Sequence, residues 1–264
     1  MNSQRLSAAF AGVHGKEDAY EYLRTEGAVQ ILEKCYKTED NEFAPQYADL
    51  ARLHKAIRSR KAFTVLEFGV GYSTIIMAHA LLKNKEEWDS LENKPRVRNS
   101  TMFQLHSIDA AEKWIAVTES KIPEELRPII TLHHSEVSAG LFQDRACHYY
   151  DALPDVVADF IYLDGPDPQN VKPTAYSQWD NFDKVVMSGD LLRMEPVLLP
   201  GTCILVDGRT ANARFLKAHF YRNWTCERNS DSDVTVFELQ EAPLGKISES
   251  TLQFCLGDRI RDWN

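Results

Sequence analysis

Acidic residues stand at the ends of four apolar segments of this chain, where a buried strand would leave a sheet. They are Glu67, Asp109, Asp164 and Asp207. A purely structural turn has no need of a charged group at the end of an apolar strand. In an open sheet of parallel strands, ligands bind outside the carboxyl ends of the strands. These four carboxylates are therefore candidates for ligand binding and for acid–base chemistry.

Glu67 belongs to a strand, turn and helix around which the rest of the chain is arranged. Thr64–Phe68 has the branched apolar residues of a strand that is covered on both faces. Gly69 and Gly71 let the chain turn sharply and bring bare backbone close to a ligand. The helix predicted to begin near Ser73 points its unpaired N–H groups at the same place. A tight turn without a ligand is the alternative.

The remaining apolar patterns predict the elements that position these residues. Further strands are predicted at Met102–Ile108, Pro128–His133, Asp159–Leu163 and Thr202–Val206, followed by a hairpin of Trp224–Arg228 with Val234–Leu239. Helices are predicted over 17–36 with a break at Gly27, after Pro45 with Leu50, Leu53 and Ile57 on one face, over 110–119, in segments over 179–199, and over 213–221. The polar stretch 84–101 is either an extension of the preceding helix plus a loop, or a mobile lid.

The segment Glu67-x-Gly69-x-Gly71-x-Ser73 resembles the first motif of class I S-adenosylmethionine-dependent methyltransferases. Its continuation through Tyr72 resembles the small-molecule O-methyltransferases of the catechol and macrocin types. The resemblance spans roughly residues 45–240. It implies a doubly wound, Rossmann-like α/β fold with a seven-stranded sheet, mostly parallel with an antiparallel last strand, plus N-terminal helices. It also implies methylation of an oxygen, or of a nitrogen, of a small molecule.

The resemblance implies roles for particular residues. Asp109 would hold the ribose of the cofactor, although it could also form a helix capping box with Glu112. Asp164 would lie nearest the transferred methyl group, with a helix-capping role as its alternative. The implied cofactor-binding residues are Glu67, Gly69, Gly71, Tyr72, Ser73, Asp109, Ser135, Glu136 and Asp164. The implied catalytic and substrate-side residues are Asp164, Asp167, Asp207 and Arg209.

Two departures from the family's pattern bear on the chemistry. The metal-dependent members have Asp-Asp or Asp-Asn where this chain has Asp207 and Gly208. They also place a lysine where this chain has Asp167. A divalent metal and a lysine base are therefore not carried over, and the metal requirement stays open.

Composition restricts the class of protein. The chain has 264 residues, 44% of them hydrophobic, which suits one large α/β domain with extensions. We expect a helical extension over 1–61, a methyltransferase-like domain over 62–241 and a tail over 242–264, whose Leu252, Phe254 and Leu256 cover part of that domain. The net charge of -9 argues against a nucleic acid partner, which needs clustered positive charge.

Cysteine usage and hydropathy indicate the compartment. The five cysteines are scattered and lack C-x-x-C spacing, which argues against a disulfide scaffold or a zinc site and fits reduced thiols. The sequence contains no run of 18 apolar residues and no signal-peptide pattern near its start. We therefore expect a cytoplasmic protein with a small-molecule substrate and no membrane partner. The sequence does not decide between a monomer and a homo-oligomer.

Two other function classes remain open. An NAD(P)-dependent oxidoreductase would have glycine at position 74 in the pattern G-x-G-x-x-G, but threonine stands there. The predicted terminal hairpin also opposes this class, since dinucleotide-binding sheets normally stay parallel. A protein of the methyltransferase fold that binds its ligand without catalysis is the other alternative, because no histidine or lysine stands at a matching catalytic position.

Overall fold

The computed structural model describes residues 16–35, 44–174 and 187–263. The strands are β1 (Thr64–Phe68), β2 (Gln104–Asp109), β3 (Ile130–His134), β4 (Val137–Phe142), β5 (Arg145–Tyr150), β6 (Phe160–Leu163), β7 (Val171–Lys172), β8 (Cys203–Asp207), β9 (Trp224–Asn229) and β10 (Val234–Leu239). The α-helices are α1 (Lys16–Thr25), α2 (Val29–Cys35), α3 (Tyr47–Ser59), α4 (Tyr72–Asp89), α5 (Glu112–Lys121), α6 (Asp190–Met194), α7 (Thr210–His219) and α8 (Lys246–Leu256). Short 3-10 helices occur at Arg127–Ile129, Pro168–Asn170, Glu195–Val197 and Gly257–Asp262.

Seven strands form the main sheet in the order β3-β2-β1-β6-β8-β10-β9. Strand β10 runs antiparallel to both of its neighbours, whereas the other neighbouring strands run parallel to each other. The chain builds outward from β1 to β3 on one side, and then from β6 on the other, so the order reverses between β1 and β6. These features confirm the predicted doubly wound fold and the predicted terminal hairpin.

The two faces of the main sheet have separate apolar cores, as parallel strands covered on both sides require. Val65 and Leu205 belong to the core formed with helices α1 to α4. Leu66 and Ile161 belong to the core formed with α6 and α7. Because side chains alternate along a strand, Glu67 lies on the same face as Val65.

The N-terminal helices follow the predicted pattern. Helices α1 and α2 are separated at Gly27, whose φ of 81° suits glycine. Helix α3 buries Leu50, Leu53 and Ile57 on one face, as predicted. These helices share a core with the main sheet. The domain boundary at residue 61 stays a prediction.

The polar stretch 84–101, for which the sequence left two alternatives open, begins as an extension of helix α4, which continues to Asp89. The loop that follows returns to the start of β1, where the Asn99 side-chain amide donates to the Thr64 hydroxyl at 2.9 Å. This loop therefore lies at the amino ends of the strands, the opposite edge of the sheet from the glycine turn. Its position favours a structural loop over a lid at that turn.

A second, three-stranded sheet in the order β5-β4-β7 was not predicted from the sequence. Strands β4 and β5 pair antiparallel around Gln143 and Asp144, which both have positive φ, 48° and 61°. Tight hairpin turns with positive φ usually contain glycine, so this turn carries no sequence signal. No element is therefore predicted from the sequence for residues 141–158.

The C-terminal segment covers the amino edge of the main sheet. Leu252 and Leu256 are buried together, and Phe254 stacks on Phe63 at a ring-centroid distance of 5.8 Å. Trp88 meets Phe254 edge to face, with ring centroids 5.2 Å apart. Phe254 thus packs against Phe63 and Trp88, while the division of the chain at residue 242 stays a prediction.

A buried ion network joins this segment to the sheet. The Arg60 guanidinium donates to the Glu238 carboxylate and to the Gly201 carbonyl oxygen, each at 2.5 Å. Arg259 donates to the same carboxylate oxygen of Glu238 at 2.7 Å. Although burial opposes a charge here, the two guanidinium groups hold the pKa of Glu238 below its ordinary value.

Two predicted helices differ from the structure in extent. Of the predicted segments over 179–199, residues 179–186 lie outside the described part, and the remainder contains α6 and a 3-10 turn. Helix α7 begins and ends earlier than the predicted 213–221. Within the described ranges, none of the helices has the length and apolar character needed to cross a bilayer.

Candidate functional site

A cavity of about 310 Å³ lies at the carboxyl ends of β1, β2 and β6. It occupies the place where the strand order reverses between β1 and β6, which is where open α/β sheets bind ligands. Its described lining consists of Glu67, Gly69, Val70, Gly71, Tyr72, Ser73, Ile75, Asp109, Trp114, Val117, Thr118, Lys121, Asp164, Gly165, Pro166, Asp167 and Asn170.

The two central strand ends meet through glycines. Gly69 has φ of 111°, and its N–H donates to the Ile108 carbonyl oxygen at 2.8 Å, which ties the turn to β2. The Asp164 N–H donates to the Phe68 carbonyl oxygen at 3.0 Å. Gly165 lies directly against this turn. Backbone of both loops therefore forms the floor of the cavity.

Glu67 is fully buried beneath the glycine turn. Its carboxylate accepts hydrogen bonds from the hydroxyl groups of Ser107 at 2.6 Å, Thr74 at 2.7 Å and Ser73. Burial raises the pKa of Glu67 to about 7, although these hydrogen bonds oppose the shift. The carboxylate therefore joins β1, β2 and the start of α4, so it shapes the turn from below.

Asp109 ends β2 and lines the cavity, as the sequence predicts. One of its carboxylate oxygens accepts the Ala111 N–H at 2.7 Å, while burial raises the pKa of Asp109. The predicted capping box with Glu112 is wrong, because α5 begins at Glu112 with Ala111 as its N-cap residue. Glu112 is thus the first helical residue, and it cannot reach back as the third residue of a helix would.

Asp164 is exposed at the cavity and follows β6 directly. Burial of its carboxyl group at the base of the cavity nevertheless raises the pKa of Asp164 to about 7. The positive charge of Arg209 opposes this shift, whereas the negative charges of Asp207 and Asp167 increase it. The Arg209 side chain donates to two carbonyl oxygens, those of Asp164 at 2.8 Å and Pro166 at 2.9 Å. Arg209 therefore holds the loop that carries Asp164.

Asp207 lies at the end of β8, next to β6, on the same face of the sheet as Glu67. The Tyr162 hydroxyl donates to its carboxylate at 2.9 Å. Burial raises the pKa of Asp207, and among its charged neighbours Asp49 supports this shift while Arg52 opposes it. The N-terminal helix α3 thus reaches the carboxyl edge of the sheet beside Asp207.

The other predicted site residues fall into two groups. Asp167 is exposed and lines the cavity. Ser135 and Glu136 are absent from the described lining of the cavity. Ser135 accepts the Ala152 N–H at 2.9 Å, and Glu136 pairs with Lys172. These two side chains support the start of the small sheet.

Helix α5 supplies one wall of the cavity, which sequence reasoning missed. The wall consists of Trp114, Val117, Thr118 and Lys121. Lys121 also reaches Tyr72 on the facing wall, with its Nζ 3.3 Å from the hydroxyl oxygen. The spacing 114, 117, 118 and 121 marks one helical face, but the pattern does not say whether that face meets a core or a ligand.

The donor set does not suit a metal centre. Within the described ranges, the structure contains no group of three or more His, Cys, Asp and Glu side chains that could hold a metal ion. Gly208, which follows Asp207, has no side chain to offer as a ligand.

Comparisons with known proteins were made by sequence and by structure. No protein-family profile matches the chain, and no curated protein matches it. Solved structures with a related backbone include an O-methyltransferase of Bacillus cereus in complex with SAH, at 16% identity, covering 89% of this chain and 94% of that one, with a TM-score of 0.40. An SAH-bound methyltransferase of Podospora anserina has 13% identity, coverage of 91% and 97%, and a TM-score of 0.48. An O-methyltransferase of Streptomyces achromogenes in complex with SAM has 16% identity, coverage of 90% and 99%, and a TM-score of 0.39.

Proposed function

We propose that this protein is an S-adenosylmethionine-dependent methyltransferase that methylates an oxygen of a small molecule. One observation carries the proposal: the glycine turn and the carboxylates of Asp109, Asp164 and Asp167 surround a single cavity at the reversal of strand order. The volume of about 310 Å³ lies at the lower end of the usual range for small-molecule sites. The sequence resemblance supplies the identity of the ligand.

The charges of the cavity suit this cofactor. S-adenosylmethionine carries a sulfonium and an ammonium group, and carboxylates stabilise both. A carboxylate also accepts charge-assisted hydrogen bonds from the two ribose hydroxyls, which is the role we assign to Asp109. An acid at the end of β2 would hold the ribose of NAD in the same way, so Asp109 does not separate the two cofactors. Thr74, in place of the third glycine of G-x-G-x-x-G, and the antiparallel β10 disfavour an NAD(P)-dependent oxidoreductase.

The glycine turn leaves space for the ligand. A Cβ built on Gly71 meets no protein atom within 4 Å, although Gly71 lines the cavity. Glu67 acts indirectly in this proposal, because its carboxylate is already occupied by three hydroxyl donors from the protein. It fixes the turn that the cofactor contacts.

Catalysis requires alignment and removal of a proton. Bound S-adenosylmethionine supplies a methyl group on a sulfonium, which is already an activated donor. The protein's part is to hold the acceptor oxygen in line with that methyl group, an effect worth several kcal/mol. A positioned base adds about 10²–10⁴-fold. Asp164, Asp167 and Asp207 are the side chains near this edge that could act on the acceptor.

A ligand-binding protein of the same fold without turnover is the second candidate. Among the described lining residues there is no histidine, and Arg209 is engaged with backbone carbonyl oxygens. Retained binding of S-adenosylmethionine without methyl transfer to any acceptor would favour this candidate.

Calorimetric titration tests the cofactor. The protein is titrated with S-adenosylmethionine, S-adenosylhomocysteine and NADH, and the titrations are repeated for Asp109→Ala and for Asp155→Ala, an exposed aspartate at the opposite edge. We expect micromolar binding of the two adenosyl compounds, lost in Asp109→Ala and kept in Asp155→Ala. Binding of NADH alone would overturn the proposal. A screen of hydroxylated small molecules with methyl-labelled cofactor then identifies the acceptor.

A further inference from the structure

Tyr162 is a buried tyrosine near the carboxyl end of β6, and the proposed chemistry gives it no role. It lies in β6 between Glu67 on β1 and Leu205 on β8, with only 4% of its surface exposed. Its hydroxyl donates to the Asp207 carboxylate at 2.9 Å, and Asp164 follows two residues later, directly after β6. The phenol group therefore links β6 to the carboxylate at the end of β8.

A hydrogen-bond donor from the described part of the chain reaches only one of the two carboxylate oxygens of Asp207. Among the described residues, Tyr162 alone donates a hydrogen bond to its carboxylate, and that bond goes to Oδ2. The residue is half-buried. Its other neighbours are charged groups: Asp49 and Arg52 on α3, which form an ion pair at 3.1 Å, and Asp233 before β10. The second oxygen, Oδ1, has no described donor.

Asp164 and Asp207 differ in their surroundings. Asp164 lines the cavity that we assign to the cofactor. Asp207 is not among the described residues of that cavity and lies one strand further along the sheet, beside α3. Two carboxylates with different surroundings can take different parts in one reaction.

We propose that Asp207 is the catalytic base and that Tyr162 is the positioning residue that holds its carboxylate toward the acceptor, while Asp164 faces the cofactor. This inference rests on the proposed function, because it assigns the acceptor side of the same site. It also implies that the acceptor lies against the first turns of α3, near Asp49 and Arg52.

Methyl transfer requires only the cofactor, the acceptor and the Asp207 carboxylate. The acceptor oxygen forms a bond to the methyl carbon while the bond between that carbon and sulfur breaks, with its electron pair remaining on sulfur. The acceptor's proton passes to Oδ1 of Asp207, which becomes a neutral carboxylic acid. Tyr162 keeps its proton and its hydrogen bond to Oδ2 throughout. Water then removes the proton from Asp207.

A purely structural role for Tyr162 makes a different prediction. A buried hydroxyl needs some acceptor, and any acceptor would satisfy it. Because this hydroxyl donates to a carboxylate, its loss raises the pKa of Asp207 under either role. The roles separate in turnover: only if Asp207 is the base does the acidic limb of the kcat profile follow that shift.

The first test follows the Asp207 carboxyl group directly. Protein labelled with ¹³C in the aspartate carboxyl groups is titrated by NMR, and the Asp207 signal is assigned by its absence in Asp207→Asn. Tyr162→Phe should raise the pKa of Asp207. Tyr149→Phe is the matched control, since Tyr149 is also buried and donates to a backbone carbonyl oxygen, that of Leu141. An unchanged Asp207 titration in Tyr162→Phe would overturn the positioning role.

The second test separates the two carboxylates by cofactor affinity. Dissociation constants for S-adenosylmethionine and S-adenosylhomocysteine are measured for Asp164→Asn and Asp207→Asn. We expect Asp164→Asn to weaken the cationic compound about tenfold more than the neutral one, and Asp207→Asn to change either constant by less than about threefold. Equal losses in both variants would overturn the division of roles. If the unmutated protein binds neither compound, the proposed function fails, whereas the NMR titration still tests the link between Tyr162 and Asp207.

The third test uses the acceptor that the screen identifies. Asp207→Asn should lower kcat at least about 100-fold, as expected for loss of a general base. Tyr162→Phe should move the acidic limb of the kcat profile to higher pH, while Tyr149→Phe leaves the profile unchanged. Full turnover by Asp207→Asn would overturn the assignment of the base.

Discussion

The amide nitrogen of Gly69 lies 2.8 Å from the point where a Cβ on Gly165 would stand, and the Gly69 Cα lies 2.9 Å from it. Real Cβ atoms do not approach backbone so closely, and neither loop can move without disturbing its strand. The ends of β1 and β6 can therefore meet only because residue 165 has no side chain.

Replacing Gly165 by alanine should consequently destabilise the protein. We expect the free energy of unfolding to fall by about 1–3 kcal/mol, the usual cost of overpacking. Urea unfolding measures this change. Gly71→Ala is the matched control, because it meets no protein atom within 4 Å and its backbone is extended. Equal effects of the two substitutions would contradict the close contact.

Gly71→Val tests the space above the turn. The added side chain has only the cavity or solvent to occupy, so folding should be unaffected while affinity for S-adenosylhomocysteine falls at least about tenfold, or 1.4 kcal/mol. Thermal unfolding and calorimetry together check both parts. Undiminished affinity would show that the ligand does not approach Gly71.

Glu67 should make stability fall as pH rises. Its folded pKa of about 7 lies above its ordinary value of 4.5, so between these values the folded protein keeps a proton that the unfolded chain has lost. Ionisation therefore costs stability progressively from about pH 4.5 to pH 7. Glu67→Gln should remove up to about 1.4 kcal/mol per pH unit from that slope in urea unfolding. An unaltered slope would contradict the buried carboxyl's contribution.

The histidine pair between α3 and α4 should act in the opposite direction. His54 and His79 are buried and joined by a hydrogen bond of 3.0 Å, and burial lowers the pKa of His79 to about 4. Since the unfolded side chain binds its proton near pH 6.5, stability contributed by the neutral ring is lost as pH falls from 6.5 toward 4. His79→Gln should flatten this acid-side loss in urea unfolding. An unchanged acid-side loss in His79→Gln would contradict this contribution.

Glu238→Gln should be strongly destabilising. It leaves the buried Arg60 guanidinium without its compensating charge, and breaking such a pair costs about 3–5 kcal/mol. The exposed pair of Arg228 and Asp233 provides the control, because Asp233→Asn should cost less than about 1 kcal/mol. Chemical unfolding of both variants measures the difference. Similar losses would show that burial does not determine the cost.

The strands and the glycine turn were predictable because their signals are local. A buried parallel strand is a short apolar run, and Gly69 and Gly71 mark where it turns. The acids at the strand ends could also be located, since parallel strands bring their carboxyl ends to one edge. Asp109, Asp164 and Asp167 accordingly line one cavity.

The partners of those acids could not be predicted in the same way. Ser107 is 40 positions from Glu67 and Asp207 is 45 positions from Tyr162, so each contact depends on how strands are ordered. The β4–β5 hairpin was missed because its turn has positive φ without glycine. The wall of the cavity formed by α5 was missed because an apolar helical face looks the same whether it covers a core or a ligand.

The position of the Arg60–Glu238–Arg259 network has a consequence for how this protein could diverge. These charges and the C-terminal segment secure the amino edge of the sheet, whereas the cavity and the strand-end carboxylates lie at the carboxyl edge. Substitutions around the strand-end carboxylates therefore leave this network intact. Under the proposed function, substrate preference can change through α3 and the loops after β6 and β8 while the opposite edge retains the fold.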